Sequence, residues 1–128
     1  MRLLLDTHAL LWWFTDDERL SVNARALIGD PGNEIFVSAA SAWEIATKHR
    51  LGKLPGFDEA VAQYTDLLAA DGFRSWPITH AHALRAGAYP VDHRDPFDRV
   101  LAAQSELDGF RLITIDAAFL RFGTETVW

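Results

Sequence analysis

Short hydrophobic runs alternate with segments of helical periodicity along the whole chain. The runs typical of buried strands cover residues 2–5, 34–38, 73–76 and 111–115. Between them, capping residues, helix formers and Gly or Pro stop signals predict helices over residues 8–14, 21–28, 41–51, 58–70, 78–87 and 95–107. The tail predicts a helical turn over residues 117–121 and a short edge strand over residues 125–127.

This alternation of strands and helices predicts an α/β fold. Apolar strands separated by helices form a mostly parallel sheet that is covered by helices on both faces, which gives three layers around four to five strands. With 128 residues and 49% hydrophobic content, the chain suits one domain, residues 1–128. Ligands of such folds bind beyond the carboxyl ends of the strands, so we expect the chemistry at that edge.

Composition narrows the possible chemistry. The chain has 18 acidic and 12 basic residues and a net charge of -6, so any nucleic-acid site must be local. It has no cysteine, which excludes disulfides and sulfur-ligated zinc and fits a reducing compartment, so we expect a cytoplasmic protein. The apolar start carries Asp6 and His8 early and is far shorter than the roughly 20 residues that span a bilayer, so no membrane association is expected.

Four acidic residues stand where predicted strands end or predicted helices begin. Asp6 and Asp116 follow strands, and either could simply cap the next helix. Glu44 lies three residues after Ser41, the spacing of a capping box. Asp98 lies in the first turn of a helix, where the helix dipole favours an anion. Each acid therefore has a structural explanation when it is taken alone.

Taken together, the four acids indicate a metal site. Capping does not require helix starts to converge, whereas the predicted fold brings them to one edge of the sheet. Carboxylates gathered there raise one another's pKa values unless a cation compensates. Oxygen ligands without cysteine fit Mg²⁺, or Mn²⁺ as a substitute, better than zinc. We therefore predict a metal site formed by Asp6, Glu44, Asp98 and Asp116.

Four segments carry a family resemblance, in order and at the expected spacings. They are LLLDTHALLWW (residues 3–13), SAWEIATKHRLGKL (41–54), HRDPFDRVLAAQ (93–104) and LITIDAAF (112–119). Together they resemble the PIN-domain ribonucleases, specifically the VapC-type toxins of bacterial and archaeal type II toxin–antitoxin pairs. In that resemblance the family's four acids fall on Asp6, Glu44, Asp98 and Asp116. It also makes Asp95 and Thr114 neighbours of the site, Asp95 as a cap and Thr114 as a supporting polar group.

The resemblance implies a PIN-like fold and a Mg²⁺-dependent endoribonuclease. Such an enzyme hydrolyses phosphodiester bonds in structured RNA such as tRNA or rRNA. Metal ions held by carboxylates lower the pKa of a bound water and neutralise charge on the phosphate, so no covalent nucleophile is needed. The resemblance further implies a cognate small VapB-like antitoxin as inhibitor, and together with the aromatic-rich helix near the start it indicates a homodimer.

Histidines, cations and aromatic residues are weaker candidates for the site. The five histidines show no paired HExxH-type spacing, so we do not expect them to bind metal. Several cations near Glu44 and Asp98 are better explained as a solvated face than as RNA contacts, namely Lys48, His49, Arg50, Lys53, Arg94 and Arg99. Four aromatic residues are expected in the core or an antitoxin interface rather than stacked on bases, namely Trp12, Trp13, Phe14 and Trp43.

Three other functions share part of this pattern. A haloacid-dehalogenase-like phosphatase expects a second Asp two residues after the first, where this chain has His8. A response-regulator receiver expects a lysine after a late strand, where this chain reads AAF. The non-enzymatic alternative is an acidic protein-interaction module of the same fold, whose acids only cap helices and whose stability would show little dependence on Mg²⁺ or Mn²⁺.

Overall fold

A five-stranded, all-parallel sheet forms the centre of the computed structural model, which describes residues 1–128. The strands lie in the order β3-β2-β1-β4-β5 and are β1 (Arg2–Leu5), β2 (Glu34–Ser38), β3 (Arg74–Trp76), β4 (Arg111–Ile113) and β5 (Thr126–Val127). Leu5 of the central strand lies opposite Val37 on one side and Ile113 on the other. The predicted parallel sheet and its terminal edge strand are confirmed.

Seven α-helices and one 3₁₀ helix connect these strands. They are α1 (Thr7–Phe14), α2 (Val22–Gly29), α3 (Ala39–Arg50), α4 (Asp58–Ala62), α5 (Tyr64–Ala70), α6 (His80–Ala88), α7 (Pro96–Asp108) and the 3₁₀ helix Ala117–Phe122. A side chain of Ser, Thr or Asp accepts a hydrogen bond from a free backbone N–H at the start of six of these helices. No helix combines the length and the apolar character that crossing a membrane requires.

The core lies in two halves, one on each face of the sheet. Successive strand side chains point to opposite faces, so Leu3 and Leu5 pack with α1, α2, α3 and α5 while Leu4 packs with α6, α7 and the 3₁₀ helix. All three leucines are fully buried, because helices cover both faces. This arrangement confirms the predicted three layers.

The start of α3 differs from the prediction. The helix begins at Ala39 rather than at Ser41, because the hydroxyl of Ser38 accepts a hydrogen bond from the N–H of Ala40 at 3.0 Å. Ser41 therefore lies inside the helix, and the predicted capping box with Glu44 does not form. The chain passes from β2 into α3 without a loop.

Two other segments differ in length from the prediction. The single helix predicted over residues 58–70 is two helices, because Gln63 leaves helical geometry with φ -104° and ψ 16°. The strand predicted over residues 111–115 ends at Ile113, so Thr114 and Asp116 lie beyond the edge of the sheet.

Candidate active site

The four predicted acids line one cavity of about 120 Å³ at the carboxyl edge of the sheet. Asp6 follows β1, Glu44 lies in α3, Asp98 in the first turn of α7, and Asp116 at the start of the 3₁₀ helix. The rest of the wall is formed by Thr7, His8, Lys48, Asp95 and Phe119. The structure thus brings all four acids together, while their catalytic and metal-binding roles stay predictions.

Asp6 is buried and ties the ends of two strands together. Its Oδ1 accepts a hydrogen bond from the N–H of Ala9 at 2.7 Å, and its Oδ2 accepts one from the hydroxyl of Thr114. The same hydroxyl oxygen accepts a hydrogen bond from the N–H of Asp116 at 3.0 Å. Burial raises the pKa of Asp6 despite these hydrogen bonds, because desolvation penalises the charged form. Thr114 thus contacts the site as predicted.

Glu44 has no capping role. It lies within α3, its residue is 3% exposed, and its carboxylate accepts a hydrogen bond from Lys48 one helical turn later. A carboxylate at this depth requires a nearby positive charge, and Lys48 supplies one. The prediction that Lys48 lies on a solvated face is therefore wrong, and the Glu–Lys spacing of four residues was the sequence signal for the pair.

Asp98 also has no capping role. The side chain of Asp95 caps α7, because its Oδ1 accepts hydrogen bonds from the N–H groups of Phe97 and Asp98 at 2.9 Å and 3.1 Å. Asp98 instead lies 2.8 Å from Nε2 of His93. Burial raises the pKa of Asp98 to about 6; the contact with His93 opposes this rise, while the negative charges of Asp95 and Glu44 add to it.

Asp116 is the most exposed of the four acids. Its Oδ1 accepts a hydrogen bond from the N–H of Ala118 at 2.9 Å, which caps the 3₁₀ helix. The structural explanation given for Asp116 from the sequence therefore holds, and this acid reaches the cavity while serving as a cap.

Arg99 holds the segment that carries His93. Its guanidinium donates hydrogen bonds to five backbone carbonyls between Ala86 and His93, including Tyr89 at 2.5 Å and His93 at 2.8 Å. The prediction that Arg99 lies on a solvated face is therefore wrong. No sequence pattern identifies such carbonyl partners, and His93 was missed because its spacing from Asp98 fits no metal motif.

The remaining histidines serve other contacts. His8 lines the cavity, and its charge lowers the pKa of Asp6 against the larger effect of burial. His82 is buried and lies 2.6 Å from Asp108, far along α7 from the site, and His49 lies 2.8 Å from Asp58. His49 and His82 are thus paired away from the cavity, and His8 is the one of these three that lines it.

The donors in the cavity fit a hard divalent cation in their chemistry. They are carboxylates, and in Glu44, Asp98 and Asp116 only one of the two oxygens is hydrogen-bonded to the protein. No three His, Asp or Glu side chains are placed as a ready-made ligand group. Metal binding therefore requires these side chains to close in from their present positions.

The aromatic residues divide into two sets. Trp12, Trp13 and Phe14 are partly buried against the core, and Nε1 of Trp13 donates a hydrogen bond to Asp71 at 2.9 Å. Trp43 is 57% exposed, so it is not a core residue.

Comparisons with known proteins agree with this geometry. The family model described as PIN domain matches residues 3–125. Ribonuclease VapC22 of Mycobacterium tuberculosis is 31% identical over 115 residues, which cover 89% of this chain and 86% of that protein. Ribonuclease VapC16 of the same organism is 43% identical over 58 residues, which cover 45% of this chain and only 41% of that relative.

Two solved structures share the fold. VapBC2 from Rickettsia felis, solved bound to a DNA fragment from its promoter, has a TM-score of 0.70 at 13% identity and covers 99% of this chain and 98% of its own. FitAcB from Neisseria gonorrhoeae has a TM-score of 0.69 at 17% identity and covers 98% of this chain and 96% of its own. At such identities the likeness concerns the fold alone.

Proposed function

This chain belongs to the PIN domain family, and from that premise we propose that it is a metal-dependent endoribonuclease, the toxin of a type II toxin–antitoxin pair. The observation that carries the proposal is the convergence of Asp6, Glu44, Asp98 and Asp116 on one cavity. The ribonuclease names of both curated relatives support the reaction class.

Two of the acids support catalysis more strongly than the others. Helix capping accounts for the carboxylates of Asp6 and Asp116, whereas Glu44 and Asp98 cap nothing. Glu44 is nevertheless buried, and the side chain of Asp98 is only 18% exposed. Burying a carboxylate costs several kcal/mol unless a positive charge compensates. Lys48 supplies one such charge to Glu44, and a divalent cation bound among the four acids would supply the charge that the other neighbouring carboxylates need.

The chemistry we propose is hydrolysis by water. Mg²⁺ or Mn²⁺, held by the four carboxylates, would lower the pKa of a bound water and neutralise charge on the scissile phosphate. Buried hydroxyl groups nearby are held in hydrogen bonds: Thr7 donates to Ser41 at 3.1 Å, and Thr114 donates to Asp6. Thr114 orients Asp6, while Lys48 and His93 hold the carboxylates of Glu44 and Asp98.

We extend the proposal to substrate and partners. The substrate is structured RNA such as tRNA or rRNA, and the inhibitor is a cognate small VapB-like antitoxin. The solved structures VapBC2 and FitAcB, which share the fold, support such a partner. A homodimer and a cytoplasmic location stay predictions.

Cleavage of labelled RNA by the purified protein tests this function. Total tRNA and rRNA are incubated with the wild type in Mg²⁺, Mn²⁺ or EDTA, and with the variants Asp6→Asn and Asp98→Asn. We expect cleavage only with metal and only in the wild type. Asp66→Asn is the matched control, because Asp66 is an exposed acid in the first turn of α5. Cleavage by Asp98→Asn at the wild-type rate, after removal of contaminating ribonuclease, would contradict the proposal.

A non-catalytic acidic interaction module of the same fold is the second candidate. The absence of a ready-made ligand group and the capping roles of Asp6, Asp95 and Asp116 favour it. It predicts that Mg²⁺ and Mn²⁺ leave the melting temperature unchanged, whereas a metal-binding site predicts a rise.

A further inference from the structure

The free cations of this acidic protein are unevenly placed. Most of its basic residues pair with carboxylates or donate to backbone carbonyls, as Arg19, Arg85 and Arg99 do. The basic side chains that make no ion pair or hydrogen bond are Arg50, Lys53, Arg94 and Arg121. These four lie on segments that also carry an acid of the candidate site.

Each free cation is close along the chain to a residue that lines the candidate site. Arg50 ends α3, the helix of Glu44, and Lys53 lies in the turn that follows it. Arg94 directly precedes Asp95, the cap of α7, and Arg121 lies in the 3₁₀ helix that Asp116 caps. In a chain with a net charge of -6, the positive charge that is free to meet an anionic ligand therefore lies on or next to the chain segments that form the candidate site.

An exposed aromatic ring stands beside the same site. Trp43 directly precedes Glu44 and is the only large hydrophobic residue of α3 that is exposed. Its ring centroid lies 4.7 Å from that of Phe97, at an interplanar angle of 81°, and Phe97 directly precedes Asp98. The pair of rings thus joins α3 to α7 next to two candidate catalytic acids.

Helix geometry aligns Trp43 with Arg50, the free cation of α3. Residues seven apart lie on the same face of a helix, so Arg50 lies on the face of Trp43, about 10.5 Å further along the axis. Lys53 continues beyond Arg50 in the turn after the helix. A planar aromatic group followed by two positive charges matches a nucleic-acid strand, whose bases stack and whose phosphates carry negative charge.

We propose that this surface of Trp43, Arg50 and Lys53 binds a single-stranded stretch of RNA next to the catalytic cavity. An unpaired base stacks on the indole of Trp43, and backbone phosphates contact Arg50 and Lys53. The inference rests on the proposed ribonuclease function and adds a subsite to it. It favours RNA over a protein partner because the free cations Arg50 and Lys53 follow Trp43, and Leu51 is the only other exposed large apolar side chain between Trp43 and Lys53.

Binding of two ligands distinguishes base stacking from contacts with phosphate charge. The probes are a fluorescein-labelled, mixed-sequence RNA of 12 nucleotides and inorganic polyphosphate, which carries charge but no bases. Both are titrated in EDTA, with a gel after each titration to show that the RNA is intact. We expect Trp43→Leu to weaken RNA binding about fivefold or more and to leave polyphosphate binding unchanged, since stacking contributes at least about fivefold per base. Trp43→Phe should retain most of the affinity.

Salt dependence tests the phosphate contacts. Loss of two contacts to a single strand should reduce the slope of log affinity against log salt by about 1.4 in the double variant Arg50→Gln/Lys53→Gln. Leu84→Ala is the apolar control, because Leu84 is 76% exposed on α6, and Arg19→Gln is the charge control. Both controls should bind as the wild type does.

Several results would overturn the proposal. Wild-type RNA affinity in Trp43→Leu would do so, as would an equal loss of RNA and polyphosphate binding in a variant that melts at the wild-type temperature, because Trp43 would then not act by stacking on a base. If Trp43→Leu lost only the binding of a co-expressed antitoxin, the surface would be a protein interface. A wild type that neither binds nor cleaves RNA would contradict the ribonuclease function itself, whereas cleavage with unchanged RNA affinity in Trp43→Leu would overturn only the subsite.

Discussion

Replacement of Asp98 by asparagine should stabilise the metal-free protein near neutral pH. The amide keeps the shape of the side chain and removes its charge. Burial raises the pKa of Asp98 from its ordinary 3.8 to about 6, so the folded protein binds this proton more tightly than the unfolded chain does. Above pH 6 the carboxylate is ionised in both states, and the folded state carries the full free-energy cost of burying the charge. Below pH 3.8 the carboxyl is protonated in both states, and that cost is absent.

The magnitude follows from that pKa difference. A change from 3.8 to about 6 corresponds to roughly 3 kcal/mol at 1.36 kcal/mol per pKa unit. The side chain of Asp98 is 18% exposed and faces His93, so solvent screening and the weaker contact of an amide reduce the expected gain to about 1–2 kcal/mol. For a chain of 128 residues this raises the melting temperature by roughly 3–10 °C.

Thermal melts in EDTA at pH 4, 5, 6 and 7.5 measure this effect. The Asp98→Asn variant should be more stable than the wild type at pH 7.5, and most of the difference should be lost by pH 4. The gain in melting temperature on adding Mn²⁺ should shrink in the same variant. If Asp98 only complemented the dipole of α7, Asn would instead cost about 0.3–1 kcal/mol at pH 7.5. A less stable variant at that pH would therefore refute the reasoning, and Asp66→Asn provides the baseline.

Two further substitutions test the side chains that support the acids. Arg99→Lys should lower the free energy of unfolding in urea by about 3 kcal/mol or more, because an ammonium cannot replace the guanidinium's bonds to carbonyls from Ala86 to His93; an unchanged urea midpoint would contradict this. Thr114→Val should weaken Mn²⁺ binding roughly tenfold or more, read from the melting temperature against Mn²⁺ concentration, because Asp6 loses the hydroxyl that orients it. Thr114→Ser should restore the affinity, and equal affinity in Thr114→Val would show that the hydrogen bond is not needed.

The sheet and the meeting of the acids could be predicted because they depend on local signals. Three consecutive leucines in β1 indicate a strand that is buried on both faces, which requires helices on both sides. Asp6 and Asp116 directly follow apolar runs, and parallel strands bring their carboxyl ends to one edge. Spacing along the chain and the direction of the strands were sufficient for this part of the site.

The partners of the acids could not be predicted in the same way, because they depend on where a strand ends and on contacts across the fold. Ser38 and Ser41 both resemble caps in sequence, and only the end of β2 at Ser38 decides between them. Arg99 binds carbonyl groups, which every residue carries. The contact of His93 with Asp98 depends on that arginine and not on a motif.

An acid can cap a helix and bind a metal at the same time, and a substitution distinguishes the two roles only at some of these positions. Asp6 uses one oxygen for the N–H of Ala9 and the other for the hydroxyl of Thr114, so a cation must share an oxygen that already has a partner. Asparagine at Asp6 would change the cap, the Thr114 contact and the metal site together. Glu44 contacts Lys48, and Asp98 contacts His93. Both contacts are ion pairs or hydrogen bonds, which a bound cation can replace. Changes in the stabilisation that added metal produces therefore report on the metal site alone at Glu44 and Asp98, whereas substitutions of Asp6 affect the fold as well.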